Sequence, residues 1–138
     1  MLADNYHSAI VEKLKTDDFT FRSGRLTVHL AREFGFCYGV DRAVDYAYQT
    51  RERFPDRRVY LTGEIIHNPH VNEKLRGMGI QFLDQEPGAI DGLSKDDVVI
   101  LPAFGVTVEM LQRLDTRGCT LIDTTCGSVL NVWKNVKR

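Results

Sequence analysis

The segment DVVILPAFG, residues 97–105, constrains the fold more than any other stretch of this chain. Val98, Val99, Ile100 and Leu101 are four apolar residues in a row ahead of Pro102. A strand with one wet face alternates apolar and polar residues. An unbroken apolar run therefore implies a strand covered on both faces, as in a parallel sheet between helices. The segments around it agree. RLTVHLA (25–31), RRVYLTGEII (57–66), IQFLD (80–84) and CTLID (119–123) have strand composition. Val40, Ala43, Val44, Ala47, Tyr48 and Phe54 make one apolar helical face, which Pro55 ends. HVNEKLRGMG (70–79) and TVEMLQRLDTRG (107–118) read as helices with glycine stops. Strands alternating with helices predict an α/β fold with a mostly parallel sheet flanked by helices.

The remaining segments read as follows. Tyr6, Ile10, Val11 and Leu14 predict a short amphipathic helix over residues 4–15. KTDDFTFRSG reads as a polar connector ending at Gly24, and QEPGAIDGLSKD as a long polar loop. The RERFPDRR run and the Asp41–Ala43 stretch read as a solvated helix face and its end. TTCGSVLNVWKNVKR opens a last helix with Val129, Val132, Trp133 and Val136 on one side. That face has nothing after it to pack on, so the chain reads as the front part of something longer. The expected organisation is an N-terminal helical extension (1–24), a first α/β domain (25–124) and the start of a second domain (125–138).

Composition excludes several function classes. Lys and Arg number 18 against 19 Asp and Glu, a net charge of −1. A nucleic-acid binder favours a basic face, so no nucleic-acid partner is expected. No apolar run approaches the roughly 18 residues of a membrane span, and no membrane partner is expected. MLADNYHSAIVEKLK mixes acids and bases without a continuous apolar core, and reads as neither a signal peptide nor an acid-poor transit peptide. Three widely spaced cysteines suit a reducing compartment better than a disulfide framework. A cytoplasmic location follows.

In a parallel α/β sheet, ligands bind beyond the carboxyl ends of the strands, where helix N-termini point. Gly35–Gly39, Glu64–Pro69, Pro102–Gly105 and Thr124–Gly127 converge on such an edge. Cys37 lies between two glycines just ahead of a helix. A free cysteine there is either a small buried hydrophobe or a thiolate favoured by the helix end. Cys126, in DTTCG, repeats the pattern, and the two would face a shared centre. Two thiols are not a complete metal site, since structural zinc and iron–sulfur clusters usually take four ligands. Cys119 begins the CTLID strand, at its opposite end from Cys126, and reads as structural. His67, in GEIIHNP, is either a turn histidine or an imidazole donor to an anion, with Glu64 and Asn68 as flanking partners. His7, His29 and His70 read as structural or solvated.

GFCYGVDRAV, GEIIHNPHVNEKL, DVVILPAFGV and LIDTTCG occur in this order. Together they resemble the N-terminal part of the 4-hydroxy-3-methylbut-2-enyl diphosphate reductase family, over about residues 25 to 138. The resemblance implies three similar α/β units around a central [4Fe-4S] cluster, each giving one cysteine, with an open iron site for substrate. It implies that Cys37 and Cys126 are the first two cluster ligands, with the third expected beyond residue 138. It implies that His67 contacts the diphosphate of the allylic substrate. It implies that the reaction yields isopentenyl and dimethylallyl diphosphates, with electrons from a ferredoxin or flavodoxin. No catalytic residue of the family falls within this chain, which is expected to be inactive alone. Two positions depart from the commonest pattern. Phe104 stands where the family usually has a second diphosphate-binding histidine, a form that resembles the cyanobacterial and plastid branch. Gly127 stands where a proline usually follows the second cysteine. Two alternatives compete: a cluster-free thiol enzyme using Cys37, and a non-catalytic phosphate-binding α/β module, although the chain lacks both G-x-G-x-x-G and the P-loop pattern.

Overall fold

The computed structural model describes residues 7–85 and 88–136. Tyr6, the first apolar position of the expected N-terminal helix, lies outside them. The chain forms two compact units that divide between Phe36 and Cys37.

The first unit begins with helix α1, Ala9–Thr16, capped by Ser8, whose hydroxyl accepts a hydrogen bond from Val11 N. Strands β1 (Thr20–Ser23) and β2 (Leu26–His29) then form an antiparallel hairpin. Gly24, at φ +56°, opens its two-residue loop. The stretch read as a polar connector therefore contains a strand, and the hairpin straddles the expected border at Gly24. TFRS is too short to show an alternation by itself; it becomes a strand by pairing with LTVH, Phe21 opposite Val28. RLTVHLA accordingly supplies a hairpin strand and no strand of the parallel sheet. No described residue of this unit is buried, and Phe21, Leu26 and Val28 are exposed.

The second unit is the α/β layer. Its elements are α2 (Tyr38–Arg53), β3 (Val59–Leu61), α3 (Pro69–Gly77), β4 (Ile80–Phe82), β5 (Val98–Leu101), α4 (Val108–Arg117), β6 (Thr120–Asp123) and α5 (Gly127–Val136). The four strands pair in the order β4-β3-β5-β6, all parallel. All four residues of β5 are buried, as the apolar run requires. On one face Tyr60, Leu83, Ile90, Leu93, Val99, Leu101 and Leu114 form a cluster, with Met110, Leu111 and Leu121 packed against it. The alternate strand residues Val59, Leu61, Val98 and Ile100, also buried, point to the other face. There α2 and α3, which touch one another, bury Ala43, Val44, Ala47, Val71 and Leu75.

Two polar stretches do more than was expected. The loop after β4 folds into short 3₁₀ turns at Leu83–Gln85 and Ala89–Gly92, and buries Ile90 and Leu93. Its polar majority hides these two core residues in the sequence. At the amino ends of the strands, the arginines of RERFPDRR act as staples. Arg57 donates to the carbonyls of Lys95, Asp96 and Asp97 and to Thr120 Oγ1, at 2.6–3.1 Å. Arg58 grips buried Asp97 with two bonds, at 2.7 and 2.8 Å. Ser94 N and Oγ donate to the same carboxylate, at 2.8 and 3.0 Å.

The strand order positions everything that follows. The chain leaves β3 toward β4 on one side and leaves β5 toward β6 on the other. The crevice between the carboxyl ends of β3 and β5 is therefore the topological switch point, where open α/β sheets bind ligands.

Candidate functional site

Three loops emerge at that carboxyl edge, and backbone hydrogen bonds stitch them together. Ala103 N, after β5, donates to Ile65 O, after β3, at 3.3 Å; Cys126 N, after β6, donates to Ala103 O at 2.9 Å. Thr124 reinforces the seam, its buried hydroxyl donating to Leu101 O at 2.5 Å. Thr125 N donates to Asp123 Oδ1 at 2.8 Å. The residues just ahead of Cys126 are thus tied down on both sides.

Cys126 stands immediately before α5, and its carbonyl accepts from Leu130 N at 3.0 Å. Its sulfur accepts from the Ser128 backbone N–H, the Ser128 hydroxyl and the Val129 N–H. In that order, these contacts hold the thiol below its ordinary range; the Arg42 charge adds to them, and burial opposes them. Cys37 occupies the corresponding place before α2. It has extended backbone at φ −74°, ψ 160°, and its exposed thiol makes no cap hydrogen bond.

Gly39 joins the two cysteines. A Cβ at Gly39 would lie 2.3 Å from Cys126 Sγ and 3.1 Å from Cys126 Cβ. The Cys126 side chain therefore lies against the first turn of α2, two residues from Cys37. The space that the missing side chain of Gly39 leaves is taken by a protein sulfur. Gly105 plays a similar part. It adopts φ +76°, and a Cβ there would lie 2.2 Å from Trp133 Cη2. The indole of α5 packs on that backbone, which fixes the loop after β5.

His67 projects from the loop after β3, exposed. Its Nδ1 lies 3.2 Å from Glu64 Oε2. Its ring stacks on Phe104 from the loop after β5, centroids 5.3 Å apart and planes 16° from parallel. The two rings meet across the switch point. Asn68 caps α3, its side chain accepting from Val71 N at 3.2 Å. Buried Asn72 donates Nδ2 to Ile66 O at 2.8 Å, and Asn68 N donates to the same carbonyl at 2.8 Å. Asn72 had no role in the sequence reading, although the spacing N-P-x-x-N places it one helical turn from the cap, facing back to the loop.

The other candidates fall where their surroundings put them. Cys119 packs against the core cluster, its thiol pushed up by burial, with Sγ 3.6 Å from Leu114 O. His29 Nδ1 lies 3.2 Å from Thr20 Oγ1 in the hairpin. Among the described residues, no group of three or more His, Cys, Asp or Glu is arranged to hold a metal ion. Likewise no helix is long and apolar enough to cross a membrane.

A parallel α/β unit with two thiols at adjoining helix starts, beside a switch-point histidine, defines a class: an α/β module that gathers two cysteines and a histidine at the carboxyl edge of its sheet. Comparison narrows the class. The sequence model of the LytB protein family matches residues 28–138, and the chain belongs to that family. It is similar to the 4-hydroxy-3-methylbut-2-enyl diphosphate reductase of Synechococcus sp. (strain WH7803), at 48% identity over 99% of this chain and 35% of that protein. It is likewise 46% identical to the reductase of the same name from Thermosynechococcus vestitus, over 99% of this chain and 35% of that protein. Among solved structures it resembles a (E)-4-hydroxy-3-methyl-but-2-enyl diphosphate reductase, with a TM-score of 0.63 and 34% identity, over 77% of this chain and 36% of that one. A second is a reductase from Plasmodium falciparum, with a TM-score of 0.69 and 25% identity, over 77% of this chain and 32% of that one. The chain thus spans about 35% of the length of the curated relatives it matches.

Proposed function

We propose that this chain provides the first α/β unit of a 4-hydroxy-3-methylbut-2-enyl diphosphate reductase. The contact between Cys126 and the α2 turn at Gly39 carries the reading, because it brings two free thiols to one corner. Such thiols suit iron as soft donors, and the Cys126 sulfur already receives hydrogen bonds that favour its thiolate. They fit as part of a ligand set, with a further donor needed from elsewhere in the protein. A bound [4Fe-4S] cluster would supply a Lewis-acidic iron for the allylic hydroxyl and a store for electrons.

The overall reaction breaks the allylic C–O bond. Two electrons and two protons are consumed, and the hydroxyl leaves as water. Within this chain, Cys37 and Cys126 would hold the cluster, and His67 would hold the substrate diphosphate. Glu64 accepts at Nδ1, so an anion at Nε2 meets a donor only when both ring nitrogens carry protons. No residue of this chain is assigned to proton delivery. A ferredoxin or flavodoxin would supply the electrons, and the cytoplasm is the compartment this chemistry suits.

Anaerobic reconstitution of the chain with iron and sulfide tests the proposal. Iron and acid-labile sulfide should be retained by the wild type and Cys119→Ser, and lost in Cys37→Ser and Cys126→Ser. The wild-type chain should not turn over substrate. Equal iron retention in all four proteins would sink the assignment of the two cysteines.

A further inference from the structure

Phe104 is a large apolar side chain left 50% exposed at the carboxyl edge of the sheet, while the core lies elsewhere. Its described ring contact is His67, at 5.3 Å and 16°. The two residues belong to different loops, which diverge on either side of the switch point, so local sequence does not force them together. The Phe104 loop is itself held firmly. Ala103 is tied to Ile65 and to Cys126, Gly105 N donates to Pro102 O at 2.8 Å, and Trp133 rests on Gly105. Glu64 meets the edge of the imidazole at Nδ1 while Phe104 covers one face. An exposed imidazole otherwise turns about a broad χ2. Here an edge and a face are both taken, and Nε2 is the ring nitrogen presented to a ligand.

We propose that Phe104 is a positioning residue for His67: the stacked phenyl holds the imidazole with Nε2 directed at a phosphate group. This rests on the reading of His67 as an anion-binding side chain. A phenyl cannot donate a hydrogen bond, so its contribution is indirect. It reduces the ordering cost when the anion binds, because the ring is already in place. The negative face of the phenyl also attracts an imidazolium stacked upon it. An aromatic pair of this kind implies a change of about two- to tenfold in affinity.

The test is NMR of the 138-residue chain with ring-labelled histidine, titrated with inorganic diphosphate. In the free wild type, nuclear Overhauser contacts between the His67 and Phe104 rings are expected. Diphosphate should then shift the His67 ring signals saturably. Phe104→Leu should weaken binding about two- to tenfold and move the free ring signals toward those of an unconstrained histidine. Phe104→Tyr keeps the stack and should restore both. Backbone spectra and melting of the variants establish that they are folded. Absence of the ring–ring contact overturns the inference, as does wild-type affinity in a folded Phe104→Leu protein; in either case the anion reading of His67 stands if the wild type binds. No saturable shift in the wild type overturns that reading, and the role of Phe104 with it.

Discussion

Gly39→Ala separates this account from a simpler one in which Gly39 is an ordinary residue in the first turns of a helix. In the simpler view alanine stabilises, because glycine inside a helix costs about 0.8–1 kcal/mol relative to alanine. In the structure the new methyl would sit 2.3 Å from Cys126 Sγ and 3.1 Å from Cys126 Cβ. Carbon and sulfur need well over 3 Å, so the sulfur must turn away or the start of α5 must move. Turning away breaks the hydrogen bonds from Ser128 and Val129; moving α5 strains the Cys126–Ala103 bond and the seat of Trp133 on Gly105. Overpacking of this kind costs about 1–3 kcal/mol. Less the propensity gain, Gly39→Ala should destabilise by up to about 2 kcal/mol. At about 4–8 °C per kcal/mol for a unit of this size, the loss is easily measured by thermal or urea denaturation. Two controls sharpen it. Gly77→Ala, at the end of α3 where a Cβ meets nothing within 4 Å, should stabilise by about 0.5–1 kcal/mol. Cys126→Ala should largely suppress the Gly39→Ala penalty, giving a coupling energy above about 1 kcal/mol in a double-mutant cycle. A Gly39→Ala protein as stable as wild type, with no coupling to Cys126, would refute the reasoning.

Other outcomes follow from other contacts. Burial alone would raise the Asp97 carboxyl, but hydrogen bonds from Ser94 and Arg58 outweigh it and hold the group below its ordinary value. A depressed carboxylate stabilises the fold above its unfolded pKa of about 3.9, and that stability is lost as pH falls through the lower folded value. Asp97→Ala should therefore cost about 2–3 kcal/mol near neutrality, and acid titration of stability should show a smaller loss below about pH 4 in the variant than in wild type. Gly105→Ala combines a left-handed backbone with collision on Trp133; it should cost about 2–4 kcal/mol and red-shift tryptophan emission as the indole is displaced. Gly127→Pro, at the first position of α5 where a Cβ meets open space, should raise stability by about 0.5–1 kcal/mol in the same denaturation assay.

What could be read from the sequence was what local pattern controls. The apolar run at Val98–Leu101 announced a strand buried on both faces, and HVNEKLRGMG with its glycine stop announced α3, whose Asn68 cap came from the structure. The two cysteines were placed ahead of their helices because a strand end, a cysteine and an amphipathic start are adjacent in the chain. The hairpin was missed, because β1 has strand character only beside β2. Ile90 and Leu93 were missed because burial there depends on how a polar loop folds back on the sheet. The partner of Gly39 is a sulfur from the far end of the chain, and the partner of Phe104 is a ring from another loop. Both depend on strand order, which no local spacing encodes. Phe104 at first registered only as the loss of a hydrogen-bond donor; its stack on His67 came from the fold.

The most direct test of the central claim is whether Cys37 and Cys126 hold one cluster. Anaerobic reconstitution of the chain with iron and sulfide reads this through the sulfur-to-iron charge-transfer absorption and the iron retained per chain. The account predicts that Cys37→Ser and Cys126→Ser each lose the absorption and the iron as fully as the double variant does, while Cys119→Ser keeps both, since loss of either ligand of a shared cluster releases it. Single variants that each keep about half of the iron would show that the two thiols do not share a centre, and would contradict the account.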